Sequence, residues 1–376
     1  FPYTTLFRSV YILKGKDEEV WEPHFTYHGF RYVEVTGLPS APTKQTLTGR
    51  VFHSAAPYIG EFACSKEIIN EIHENILWSL RGNLMSVPTD CPQRDERLGW
   101  MGDAQIFAPT GCYNMDMARF FSKWERDIID SQSDSGYVHD VNPAIVVSGP
   151  AKPGWGDAVV VIPWIVYQFY GDKKIIEENY DGMKAWVEYM KENSSDYIYR
   201  WGTGDWGGYG DWVAPVETPA DLIAAAYFYY STSLLGKMAE IIDREGEAEH
   251  YSELAKKIAD AFNEKYFNKS KLHYESGTQT ANLLPLAFGI TSPLFQKEVA
   301  GSIAKDVLDR DVHLSTGFLG TGYILPMLSN YGYHELAYKL AVQTTYPSWG
   351  YMVEQGATTV WELWNSDTAP PEKMNS

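Results

Sequence analysis

Two short runs hold the residue types that acid–base chemistry needs. The first, Thr89–Gln105, contains Asp90, Asp95, Glu96 and Asp103 with Arg94 and Arg97, interleaved with Trp100. If its second half is helical, Glu96, Trp100 and Asp103 fall at i, i+4 and i+7 on one face, although Gly99 and Gly102 weaken that helix. The second run, Gly356–Asn365, places Glu362 between Trp361 and Trp364, an apolar setting that is uncomfortable for a charge. Acid–base chemistry needs one carboxyl kept protonated near neutral pH beside others that stay ionised. Glycoside hydrolysis needs such a pair, one acid for the leaving group and one base or nucleophile. Simpler readings stand beside this one. The first run could be a salt-bridged helix start, with Asp90 as N-cap and Pro92 in the first turn. Glu362 could be held in a structural ion pair.

Two loops offer aromatic platforms. Gly154-Trp155-Gly156-Asp157 precedes an apolar helix, and Gly204–Trp212 gathers Gly, Asp, Trp and Tyr in nine residues. They belong to long stretches, 131–155 and 194–218, of a length that is usually functional. Calcium is a rival reading of an Asp/Gly-rich loop, but EF-hand ligand spacing is absent. The nine histidines show no metal-ligand pattern, and Cys64, Cys91 and Cys112 have no paired spacing. No phosphate loop, nucleophile elbow or dinucleotide fingerprint occurs. The expectation is therefore no metal and no cofactor.

The elements that must position these runs are mostly helical. The chain has 376 residues and a net charge of −18, which argues against nucleic acid and anionic membranes as partners. No apolar run is long enough to span a bilayer. Its 13 Trp and 26 Tyr against 16 Phe favour rings with a polar handle, which suit the apolar face and polar rim of a sugar. Residues 10–60 read as β, with alternation strongest over Phe25–Val35. From about 63 the period becomes helical, with segments near 64–82, 113–130, 156–171, 173–193, 219–243, 247–266, 278–288, 293–308, 317–330 and 332–345. Apolar helices such as 156–171 and 219–243 alternate with amphipathic ones, which predicts a double-layered toroid. The expected organisation is the C-terminal part of a β-sandwich plus linker over 1–60, then a catalytic barrel over 61–376. Both ends look cut, no signal peptide is visible, and localisation cannot be read.

The run Asp90–Gln105, together with Gly154–Asp157, Gly210–Trp212, Gly356–Trp364 and the β segment His28–Val35, resembles the bacterial α-L-rhamnosidases of glycoside hydrolase family 78. The resemblance spans most of the chain. It implies a mainly α fold, an (α/α)6 barrel preceded by a β-sandwich remnant, and an inverting mechanism. It also implies non-reducing terminal α-L-rhamnose as substrate, in a rhamnose-containing glycoside or oligosaccharide. By position, Glu96 matches the general acid and Glu362 the general base. Asp90, Arg94, Trp100 and Asp103 match sugar-binding positions, with Trp155 and Trp212 as aromatic walls. Family members continue past the position of Ser376, and ten or eleven helices fall short of twelve, so the barrel is expected to be incomplete. Two other readings remain: another (α/α)6 inverting glycosidase, or a sugar-binding fragment without turnover.

Overall fold

The computed structural model describes residues 8–147, 149–200 and 208–370. Gly204–Gly207 of the aromatic loop therefore lie outside the described residues. Twelve helices run through the described chain: α1 (Glu67–Gly82), α2 (Met101–Asn114), α3 (Ala118–Asp130), α4 (Ala158–Tyr170), α5 (Lys174–Glu192) and α6 (Ala220–Ile241), then α7 (Glu245–Tyr266), α8 (Gln279–Phe288), α9 (Gln296–Asp309), α10 (Phe318–Asn330), α11 (His334–Ala341) and α12 (Trp349–Glu354). The helix count expected from periodicity was thus too low. α2 escaped because Gly102, Pro109 and Gly111 interrupt its pattern, and α12 because it is only six residues long.

The apolar/amphipathic alternation becomes two layers. The even-numbered helices α2, α4, α6, α8 and α10 touch in succession, and α10 returns to touch α2. Ala158–Pro163 of α4 and Leu222–Phe228 of α6 are buried without a break, as inner helices must be. The odd-numbered helices flank them: α3 and α5 against α4, α7 against α6, α9 against α8, α11 against α10. They bury one face only, such as Tyr251, Leu254, Ile258 and Phe262 of α7. α2, α4, α8 and α10 each contain a proline, so packing rather than helix propensity holds them.

The two ends of the toroid differ. Connections running from an inner helix out to the next outer one are short: 115–117, 171–173 and 242–244. Three of those leading back inward are long: 83–100, 131–157 and 193–219. Two-stranded antiparallel hairpins stiffen three inward connections, β1–β2 (Leu84–Met85, Val87–Pro88), β3–β4 (Ser194–Ser195, Ile198–Tyr199) and β5–β6 (Phe267–Asn268, His273–Tyr274). Chemistry-bearing residues therefore gather at the end where inner helices begin.

Residues 8–66 lead into α1. No strand ladder forms there among the described residues; one isolated bridge joins Tyr58 to Met115. The alternating Phe25–Val35 segment is mostly exposed and is tied to the rest of the chain at a few points, among them Arg97, which donates to Tyr27 O at 2.7 Å and lies over the Tyr27 ring. Gly29 N donates to Pro92 O at 2.8 Å, and Arg31 donates to Gly356 O at 2.9 Å. A strand pattern marks residues able to join a sheet, but a ladder also needs a partner strand.

Candidate active site

The helical-face arrangement expected for Glu96, Trp100 and Asp103 does not form, because α2 begins only at Met101. Residues 90–100 instead make a loop folded on itself. Asp90 is not a helix cap; its Oδ1 accepts the Leu98 amide at 2.7 Å, and Arg97 turns the chain through the left-handed region at φ 51°. This turn brings Glu96 back onto its neighbours. Glu96 Oε1 accepts the indole N–H of Trp100 at 2.7 Å, and Oε2 faces the Arg94 guanidinium at 2.8 Å.

Arg94 joins the two distant runs. Besides Glu96, its guanidinium faces Asp90 at 3.3 Å and Glu362 at 3.6 Å. Contact with one planar guanidinium keeps the nearest oxygens of Glu96 and Glu362 inside the upper limit of about 9.5 Å for an inverting pair. Glu362 also accepts the indole N–H of Trp212 at 3.0 Å. Its segment is tied down on both sides: Asn75 and Ser79 of α1 bond to Ala357 O and Val360 N, and Trp364 donates to Thr316 O. Of the tryptophans flanking Glu362, Trp364 is buried in the core while Trp361 is partly buried against it.

Asp103 occupies the first turn of α2. Its carboxyl is pushed up to about 7, first by the surrounding protein and then by the charges of Asp90, Glu362 and Glu96. The residue is exposed, which tempers the first cause and leaves the like charges as the firmer one. Burial also raises Glu362, with Trp212 and Arg94 pulling it down and Glu96 and Asp90 pushing it further up. Asp90 is raised chiefly by burial as well.

The aromatic residues separate into two kinds. Trp212 is 38% exposed and bonds to Glu362, whereas Trp155 is only 3% exposed. Trp155 lies so close over α2 that a Cβ on Gly102 would sit 2.6 Å from its ring, which is why the helix tolerates a glycine there. It supports the site from behind, edge-on to Phe318 at 5.2 Å. Buried carboxylates anchor both tryptophans. Asp157 accepts Gly154 N at 2.7 Å, Ser231 Oγ at 2.6 Å and Trp186 Nε1 at 3.3 Å. Asp211 accepts Gly317 N at 2.7 Å, Gly320 N at 3.2 Å and the Thr280 hydroxyl, so it caps α10 from another loop. The sequence placed Asp157 and Asp211 in these loops but gave no sign of what they anchor.

Asp90, Cys91 and Glu96 bring three potential metal ligands within 4.8 Å of one another. Burial pushes the Cys91 thiol up to about 12, so it is not a thiolate near neutral pH. Arg94 already supplies a cation to both carboxylates, so a metal ion would meet charge repulsion there.

A toroid of helical hairpins, with two carboxylates sharing an arginine and indoles at its loop-rich end, is the architecture of six-hairpin glycosidases. Residues 57–376 match the bacterial α-L-rhamnosidase six-hairpin glycosidase domain, and residues 5–53 match the bacterial α-L-rhamnosidase concanavalin-like domain. The chain belongs to the bacterial α-L-rhamnosidase family. It is similar to an α-L-rhamnosidase of Streptomyces avermitilis, 44% identical over 370 residues, which cover 97% of this chain and 35% of that protein. An α-L-rhamnosidase of Formosa agariphila is 39% identical over 393 residues, covering 100% of this chain and 42% of that protein. A crystal structure of Streptomyces avermitilis α-L-rhamnosidase complexed with L-rhamnose matches with a TM-score of 0.92 at 43% identity, covering 96% of this chain and 35% of that one. The α-L-rhamnosidase structure from Dictyoglumus thermophilum gives 0.87 at 44% identity, over 92% and 39%. The chain thus spans 35% and 42% of the length of these two relatives. No helix among the described residues is long and apolar enough to cross a membrane.

Proposed function

We propose that this chain carries the catalytic centre of an inverting α-L-rhamnosidase, acting on terminal α-L-rhamnose of a glycoside or oligosaccharide. The observation that supports it most is the Arg94 bridge between Glu96 and Glu362, since one arginine shared by both runs makes them a single site. Glu362 is the general base: it takes a proton from water, which attacks the anomeric carbon. Glu96 is the general acid: it gives its proton to the departing glycosidic oxygen, and the bond from that oxygen to the sugar breaks. Arg94 and Trp100 then receive the carboxylate left behind. Asp90, Arg94 and Asp103 hydrogen-bond the sugar, Trp100 and Trp212 wall it, and Trp155 backs that wall. In this reading residues 1–60 are the end of a β-domain with its linker, and 61–376 form the catalytic barrel.

The test is hydrolysis of 4-nitrophenyl α-L-rhamnoside followed by proton NMR. Release of β-L-rhamnose first supports the reading; release of the α-anomer, or faster hydrolysis of the matching glucoside, overturns it. One observation favours a second assignment of the acid. Among the carboxyls of the site, the one most strongly biased to hold a proton near neutral pH is that of Asp103.

A further inference from the structure

Asp140 lies in the 131–157 connection, outside both runs, and is 1% exposed. A buried carboxylate requires partners, and this one has three donors. Oδ1 accepts Lys152 N at 2.7 Å, while Oδ2 accepts Lys152 Nζ at 2.6 Å and the Tyr209 hydroxyl at 3.1 Å. Its carbonyl accepts Met101 N at 2.9 Å, and the next residue, Val141, bridges Trp100. Lys152 O in turn accepts Trp155 N and Gly156 N, both at 3.0 Å. Asp140 therefore ties together the segments that carry Trp100, Trp155 and Tyr209.

Tyr209 is where these ties reach the site. Its ring centre lies 4.6 Å from that of Trp155, 5.8 Å from Trp100 and 6.1 Å from Trp212. Lys152 Nζ stands 4.8 Å over the same ring. Burial holds the Tyr209 hydroxyl well above its ordinary range, so it remains a donor to Asp140. The ring is a spacer among three indoles, and its one polar atom fixes where it sits.

We propose that Asp140, acting through Lys152 and Tyr209, is a positioning unit that sets the separation of the indole walls and so governs sugar affinity rather than the chemical step. The inference rests on the reading of this site as a rhamnoside site. Tyr209→Phe keeps the ring and removes only the hydroxyl, so it tests the unit with little risk to folding. One lost hydrogen bond to a carboxylate predicts about a tenfold rise in KM for 4-nitrophenyl α-L-rhamnoside and in Kd for L-rhamnose, with kcat within about twofold. Asp140→Asn should act in the same direction and more strongly. Unchanged KM and Kd in Tyr209→Phe, or a fall in kcat alone, overturns the proposal.

A second readout does not depend on catalysis. Acrylamide quenching of tryptophan fluorescence in the 376-residue chain should rise in Tyr209→Phe, and the near-UV circular dichroism should weaken. If the parent chain neither binds nor hydrolyses rhamnosides, the functional reading fails, and quenching alone decides the positioning role. Equal quenching and equal near-UV spectra then overturn it.

Discussion

The indole N–H of Trp212 donates to Glu362 Oε1 at 3.0 Å, across a sequence separation of 150 residues. The bond favours the ionised form of a carboxyl that burial otherwise raises. A general base must be ionised, so activity falls as pH drops through its pKa. Trp212→Phe keeps an aromatic wall and deletes the donor, so Glu362 titrates at higher pH. The acidic limb of kcat/KM should move to higher pH, modestly because the indole is partly open to solvent. A limb that stays in place, in a pH–rate profile, would remove Glu362 from the base role.

Arg94 faces three carboxylates, and no lysine can reproduce that planar fork. Arg94→Lys should lower kcat/KM by about a hundredfold, on the order of 2.7 kcal/mol. Arg94→Ala should lower it further, because Asp90, Glu96 and Glu362 then repel one another without a counter-charge. Steady-state kinetics on one aryl rhamnoside would check both. A lysine variant as active as the parent would mean that the arginine is not shared in solution.

The two candidate acids separate by leaving group. Loss of a general acid costs about 10²–10⁴-fold where the departing oxygen needs a proton, and much less where it does not. Glu96→Gln should therefore slow natural rhamnosides far more than 4-nitrophenyl rhamnoside, while Asp103→Asn should slow both alike. The reverse pattern would hand the acid role to Asp103.

Much of the site was legible because its chemistry is local. Asp90, Arg94, Glu96 and Trp100 fall within eleven residues, and the structure brings them together with Glu362 and Trp212. The long helices were legible too, since a helix of four or more turns repeats its apolar period often enough to show. α2 was not, because Gly102 answers to the Trp155 ring rather than to the helix. The 10–60 pattern named residues fit for a strand but could not say whether a partner strand was in reach. Asp140 was invisible for a different reason. Its partners stand 12 and 69 residues away, and nothing about a lone Asp in a loop reveals which donors will converge on it.

Asp211 holds the Trp212 loop onto the start of α10, and its side chain accepts three donors from a position 7% exposed. Asp211→Ala leaves those donors without an acceptor, which should cost about 3–5 kcal/mol of stability. Gly317→Ala attacks the same joint sterically, because its Cβ would lie 2.2 Å from Trp212 O. Urea denaturation should place both variants well below the parent. If Asp211→Ala unfolds at the parent's midpoint, the capping bonds contribute nothing.

If the proposed function holds, Asp103 should link activity to stability with opposite signs. Its carboxyl is raised from 3.8 to about 7 in the folded chain, so folding favours the protonated form. Stability from this group is full below about pH 3.8 and is lost as pH rises through about 7. Asp103→Asn cannot ionise, so the variant should match the parent near pH 4 and exceed it at pH 8. Because the carboxyl is open to solvent, the gain should be no more than about 1 kcal/mol. In the proposed function the same carboxylate hydrogen-bonds the sugar, so the stabler variant should also be the poorer binder of L-rhamnose. Urea midpoints at pH 4, 6 and 8, beside fluorescence titrations with the sugar, would measure both effects. A stability difference that does not vary with pH would show that Asp103 stays ionised in the folded site, and would remove the one observation that favours it as the acid.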